Sequence, residues 1–170
     1  MAFTLYSHAV SLRDLGCTQS PMNAWITLNG VETLPLRMER HVENAQKVAS
    51  FLQQHHSVEW VSYAGLSSSP YYQLAQKYLQ GKAGSVFTFG IRGGYESGLR
   101  LLEKVELFSH VSNIGDSRSL ILHPASTTHR QLSDEQRLTA GAGPEVIRLS
   151  VGIESAEDLI ADLEQALEGL

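Results

Sequence analysis

The sequence has 170 residues, 42% of them apolar and 18% charged, with a formal net charge of −5. That is the size and make-up of a single globular domain able to bury a real core, and disorder is not the expectation. Only 13 Lys and Arg are scattered along the chain, so no basic stripe exists to neutralise a run of phosphates, and nucleic acid is excluded as a partner.

Residues 1–19 mix polar and apolar side chains up to Gly16 without a clear period. The first clear element starts at Ser20-Pro21, where serine caps and proline suits the first turn of a helix running to about Asn29-Gly30. A second helix is expected from around Pro35 to Gln54, with Leu36, Val42, Ala45, Val48, Ala49 and Leu52 as its buried stripe. The period then changes. Val58-Glu59-Trp60-Val61-Ser62-Tyr63 is rich in β-branched and aromatic residues and reads as a strand, closed by Gly65 and the serines at 67–69. A helix over 70–79 stops at Gly81 and Gly84. Residues 85–91 alternate as a strand, and a helix follows from about Tyr95 to Lys104.

Two short strands are expected within 105–122, around Gly115-Asp116, followed by an irregular polar loop over 123–130. A capping-box pattern at Ser133-Asp134-Glu135-Gln136 opens a short helix. Residues 146–151 form the last strand, and a final helix starts at the Ser155 cap with Ala156, Leu159, Ile160, Leu163 and Leu167 inward. The alternation of strands and helices fits either parallel βαβ units or helices covering one face of an antiparallel sheet, and pattern alone leaves both open.

The single cysteine, Cys17, can form no intrachain disulfide and no Cys-rich metal site, which suits a reducing compartment and makes the cytoplasm the expected location. No stretch approaches the ~20 apolar residues of a membrane span, and the start lacks the features of a secretory signal, so no membrane role is expected.

Arg148 is the first candidate for function. On an alternating strand it shares a face with Val146 and Ser150, opposite Ile147, Leu149 and Val151. Residue type alone favours an ordinary solvated sheet face. A guanidinium on a rigid strand is nevertheless well suited to a bidentate pair with a carboxylate, with Ser150 adding a hydroxyl. The run His123-Pro124-Ala125-Ser126-Thr127-Thr128-His129 concentrates hydroxyls between two histidines. Its spacing matches no common zinc pattern, and local backbone hydrogen bonding is the expectation. Gly90-Ile91-Arg92-Gly93-Gly94 between strand and helix matches neither nucleotide fingerprint, and a tight turn explains its glycines. Glu154, Glu157, Asp158 and Asp162 are expected to serve the helix dipole and solvent.

Five stretches together carry a resemblance. They are Leu36-Arg37-Met38-Glu39-Arg40-His41-Val42-Glu43-Asn44-Ala45, residues 84–89 (GSVFTF), Asn113-Ile114-Gly115-Asp116, residues 119–129 (SLILHPASTTH) and residues 147–154 (IRLSVGIE). In this order and over nearly the whole length, the sequence resembles the C-terminal domain of O-acetylhomoserine sulfhydrylases, fold-type-I pyridoxal-phosphate (PLP) enzymes of the trans-sulfuration family of Cys/Met metabolism.

The resemblance implies an α+β domain with a mainly antiparallel sheet flanked by helices, divided as a helical arm over 1–54 and a C-terminal α/β domain over 55–170. It implies the synthesis of homocysteine and acetate from O-acetylhomoserine and sulfide in methionine biosynthesis, with O-succinylhomoserine sulfhydrylase and methionine γ-lyase as alternatives within the family. It also implies that Arg148 grips the substrate α-carboxylate and that Asn113 stands beside it. The family's cofactor-binding half is not represented in these motifs, and Lys47, Lys77, Lys82 and Lys104 lie outside any cofactor-lysine pattern. PLP is therefore expected in the full-length enzyme and not on this chain alone, which has no catalytic or metal-binding residue to name. The expected partners are a separate PLP-binding domain or chain, an amino-acid substrate and further copies of the chain. The competing expectation is a non-catalytic oligomerisation or binding module.

Overall fold

The computed structural model describes residues 2–170, which divide into two compact units, one reaching to Pro35 and the other Leu36–Leu170. The first has helices and, among its described residues, no strand. A run of α1 (Ala2–Tyr6), a π-helical segment (Ser7–Leu12) and α2 (Arg13–Leu15) ends at Gly16, whose φ of 62° is the left-handed conformation that stops a helix. The sequence signals placed no element there. In α3 (Pro21–Glu32) the Ser20 hydroxyl accepts the Asn23 N–H at 3.2 Å and Pro21 takes the first position, as the local pattern predicts. None of the described residues of this unit is buried, so it encloses no core of its own.

The second unit is built on a five-stranded sheet. Its elements are α4 (Leu34–Gln54, of which the residues from Leu36 on belong to this unit), β1 (Val58–Ser62), α5 (Tyr72–Leu79), β2 (Val86–Ile91), α6 (Gly94–Lys104), β3 (Ser109–His110), β4 (Leu120–Leu122), α7 (Asp134–Thr139), β5 (Val146–Ser150) and α8 (Ala156–Leu167). The strand order is β1-β2-β5-β4-β3, antiparallel throughout except for the parallel β3/β4 pair at the edge. The expected mainly antiparallel sheet flanked by helices is therefore observed, and the βαβ alternative is not.

Strand alternation sorts the side chains to two faces. Phe87, Phe89, Ile91, Ile121, Ile147, Leu149 and Val151 join Ala45, Val48, Ala49 and Leu52 of α4, Leu101 of α6 and Leu159, Leu163, Ala166 and Leu167 of α8 in one apolar core. Burying each Val, Leu, Ile or Phe among them contributes about 1.5–3 kcal/mol before the entropy cost of ordering it. The even positions, Val146, Arg148 and Ser150 of β5 with Val86, Thr88 and Gly90 of β2, occupy the other face.

Two expectations about individual side chains fail. Leu36 is 70% exposed and Val42 only half-buried, and the buried stripe of α4 includes His41 and Asn44 instead. These polar residues are buried because the turn after β5 supplies acceptors. His41 Nδ1 lies 2.6 Å from the Val151 carbonyl oxygen, and Asn44 Nδ2 donates to the carbonyls of Gly152 (3.0 Å) and Glu154 (2.8 Å). Nor are all four acidic residues around α8 left to solvent. Asp162 is buried and accepts the backbone N–H groups of Glu106, Leu107 and Phe108.

Candidate functional site

Arg148 sits on β5, the central strand, with Thr88 of β2 and Leu122 of β4 as its cross-strand partners. Directly opposite residues on one face stand about 4.5–5.5 Å apart, so the base of the arginine is flanked on both sides while its head is free to leave the sheet. It leaves toward the loop before β4. Nη1 donates to Ser112 Oγ at 3.2 Å and Nη2 donates to the Asn113 carbonyl oxygen at 3.3 Å.

Both acceptors are neutral. Among the described residues no carboxylate pairs with Arg148, whereas Arg13, Arg40, Arg118 and Arg137 each have one. A charge held in a fixed direction by uncharged groups retains its attraction for an anion. Three of the five guanidinium N–H donors are left over, and a bidentate carboxylate needs two.

The loop that supplies these acceptors is organised by its own side chains. Asn113 Oδ1 accepts the Ile114 N–H at 2.8 Å, Gly115 turns the chain at φ 74°, and Asp116 Oδ1 accepts the Arg118 N–H at 3.0 Å. That backbone bond holds the Asp116 carboxyl below its ordinary value, helped by the Arg118 charge and by the Asn113 side chain. Asn113 thus reaches Arg148 through its backbone, and its carboxamide is spent within the turn.

Sequence reasoning named Arg148 and Asn113, and the structure brings them together. It missed Ser112, since a single serine in an aperiodic loop carries no signal. Thr88 was legible in part, because alternation in β2 puts it on the face away from the core. Ser150 shares the face of Arg148 but is buried.

The hydroxyl-rich loop satisfies itself, as its composition predicts. His123 Nδ1 lies 3.0 Å from Ser126 Oγ, Thr127 Oγ1 donates to the His123 carbonyl at 2.7 Å, and the His129 N–H returns to the Pro124 carbonyl. His123 is fully buried, with Nε2 2.9 Å from the Pro144 carbonyl oxygen and Tyr95 edge-on to its ring. Burial pushes its imidazole below the ordinary histidine value. A groove of about 450 Å³ lies beside this loop, lined by Tyr95, Ala125, Asp134, Arg137, Leu138 and Pro144, and Arg148 is not part of it. The turn after β2 has both Gly93 (φ 86°) and Gly94 (φ 64°) in the left-handed region, which accounts for two of its glycines by geometry.

The four lysines do not fit the amine that would carry PLP. Lys47 pairs with Glu43 at 2.9 Å, Lys82 pairs with Glu39 at 3.3 Å, Lys104 donates to the Glu168 carbonyl at 2.7 Å, and Lys77 lies over the Tyr78 ring. Each ammonium group is engaged in such a contact on the surface, and none of the four lysines is buried. What these residues can do chemically is bind and orient an anion.

A family model described as Cys/Met metabolism PLP-dependent enzyme matches residues 3–168. The O-acetyl-L-homoserine sulfhydrylase 1 of Thermus thermophilus is 50% identical over 167 residues, covering 98% of this chain and 40% of that protein. The homocysteine synthase of Schizosaccharomyces pombe is 44% identical over 99% of this chain and 39% of its own length. A crystal structure of an O-acetylhomoserine (thiol)-lyase from Campylobacter jejuni, which contains N′-pyridoxyl-lysine-5′-monophosphate, superposes with a TM-score of 0.89 at 46% identity. That match covers 99% of this chain and 40% of the neighbour. The chain thus spans about 40% of the length of these relatives.

Proposed function

The chain belongs to the Cys/Met metabolism PLP-dependent enzyme family, and we propose that it is the C-terminal part of an O-acetylhomoserine sulfhydrylase, supplying the site for the substrate α-carboxylate. The reaction served would join O-acetylhomoserine and sulfide into homocysteine and acetate, a step of methionine biosynthesis. Arg148 is the carboxylate ligand. Asn113 is its neighbour in the site, acting through its carbonyl and the turn it shapes.

One observation carries this reading. The Arg148 guanidinium extends from the central strand, is aimed by two neutral acceptors, and has no carboxylate partner among the described residues. An amino-acid substrate presents a planar anion that matches the fork, and holding it there orients the reacting carbon. In this reading the cofactor and its lysine come from a separate cofactor-binding part, to which residues 1–54 attach as an arm and beside which 55–170 form the C-terminal domain. PLP would supply the carbanion-stabilising chemistry.

The arm has the surface such attachment needs. Met22, Trp25, Ile26, Leu28 and Val31 are all exposed on α3, and a helix that is apolar on several sides is normally buried in a larger body. The same exposure favours self-association, and it is the observation behind a second reading, a non-catalytic oligomerisation module.

A chimera separates the two. This chain replaces the matching part of the Thermus relative, and homocysteine formation is measured with O-acetyl- and O-succinyl-homoserine. Turnover with the acetyl ester supports the sulfhydrylase reading, and preference for the succinyl ester moves the assignment within the family. A folded, PLP-loaded chimera without turnover supports the module.

A further inference from the structure

Resting on the reading of Arg148 as the carboxylate ligand, we propose that Ser112 is a positioning residue that fixes the plane of the Arg148 guanidinium and so sets how well the site captures a substrate carboxylate. The Ser112 hydroxyl is the one side-chain acceptor of that guanidinium among the described residues, at 3.2 Å from Nη1. The other contact, from Nη2 to the Asn113 carbonyl at 3.3 Å, is made to the backbone. Side-chain identity at 112 therefore controls half of the bracket.

The chemistry of the acceptor matters as much as its place. A carboxylate at 112 would neutralise the guanidinium and compete for its donors. An alanine would leave Nη1 free to turn about the Cζ–Nη1 bond, and the head group would lose one of its two fixed points. A hydroxyl orients without cancelling charge. Arg148 needs this help because its head leaves the sheet, where Thr88 and Leu122 flank only the base. Pre-organising the fork before binding lowers the entropy lost when the anion docks.

The test uses this chain with ¹⁵N-labelled arginine. The Nη signals of Arg148 are followed free and during titration with O-acetyl-L-homoserine, in the parent and in Ser112→Ala, Ser112→Thr and Arg148→Ala. Slowed Nη rotation is expected in the parent. In Ser112→Ala rotation should speed up and the apparent Kd should rise about three- to tenfold, the ordinary net contribution of one solvent-exposed hydrogen bond. Ser112→Thr, which keeps the hydroxyl, should restore both, and the backbone N–H signals of Arg148 in β5 and of Arg92 just after β2 should stay in place. Ser112→Cys, a weaker acceptor of similar size, gives the same comparison should alanine disturb the loop.

If Arg148→Ala abolishes the response while Ser112→Ala changes neither rotation nor Kd, the role of Ser112 is overturned and that of Arg148 stands. A ligand response that survives Arg148→Ala, or Arg148 signals that ignore the ligand in the parent, overturns the carboxylate reading and this inference with it.

Discussion

Glu154 grips Ser119 twice, its Oε1 accepting the Ser119 N–H at 2.7 Å and its Oε2 accepting the Ser119 hydroxyl at 3.0 Å. Ser119 enters β4 and Glu154 follows β5, so the pair ties together the ends of two adjacent strands. The Gly152 N–H closes the network by donating to Ser119 Oγ at 2.7 Å. Ser119 is fully buried. Glu154→Ala should therefore cost about 1–3 kcal/mol, the penalty of leaving buried donors without acceptors. Glu154→Gln should cost less, since one oxygen can still accept the N–H. Urea unfolding of the three proteins measures both.

Asp162 has a similar role on α8. Three consecutive backbone N–H groups, at 106–108, converge on its carboxylate at 2.8–3.1 Å. Asp162→Asn keeps the shape and loses acceptor capacity, so it should destabilise by about 1–3 kcal/mol, and Asp162→Ala by at least as much. Hydrogen exchange should quicken first at the amides of Glu106, Leu107 and Phe108. A variant as stable as the parent would show that this turn holds itself.

Acid should weaken the fold through histidines. Burial holds both His55 and His123 below the ordinary histidine value of ~6.5, with the neighbouring His56 adding to the effect on His55. The unfolded chain takes up these protons first. Stability is therefore complete above pH ~6.5 and falls as pH drops from there through the lower folded-state values. Thermal midpoints measured from pH 8 to pH 5 should decline below that point, and His55→Gln should flatten part of the decline. A midpoint unchanged down to pH 5 would contradict the assignment.

Gly90 lies under the indole of Trp60, its cross-strand partner, and a Cβ added there would collide with the ring. Gly90→Ala should destabilise by about 1–3 kcal/mol, the usual cost of overpacking. Trp60→Leu should relieve most of that loss in the double variant, which a double-mutant cycle reads directly.

Legibility follows the physics of each element. The caps at Ser20, Ser133 and Ser155 and the alternation of β2 and β5 are local, and all were readable from a few adjacent residues. The burial of His41 and Asn44 was not, because their carbonyl partners lie 108–110 residues away. The same distance effect hid the roles of Glu154 and Asp162, which look like ordinary helix-start acids until their backbone donors are brought to them. The helical run over 2–15 lacks a period of buried residues, so there was nothing for a pattern to detect. In the candidate site, Arg148 was singled out by residue type on a strand and Asn113 by resemblance. Ser112 became visible only when a loop 36 residues upstream met the guanidinium.

The central claim is that Arg148 binds the substrate carboxylate, and the most direct measurement is kcat/KM for O-acetylhomoserine in the chimera carrying Arg148→Lys and Arg148→Ala. Lysine keeps the charge and loses the fork, so Arg148→Lys should lose much of the parent's kcat/KM. Arg148→Ala should lose more, about 2–5 kcal/mol of transition-state stabilisation, with folding and PLP content unchanged. A folded Arg148→Ala chimera within a few-fold of the parent would make Arg148 an ordinary residue of a solvated sheet face and contradict the account.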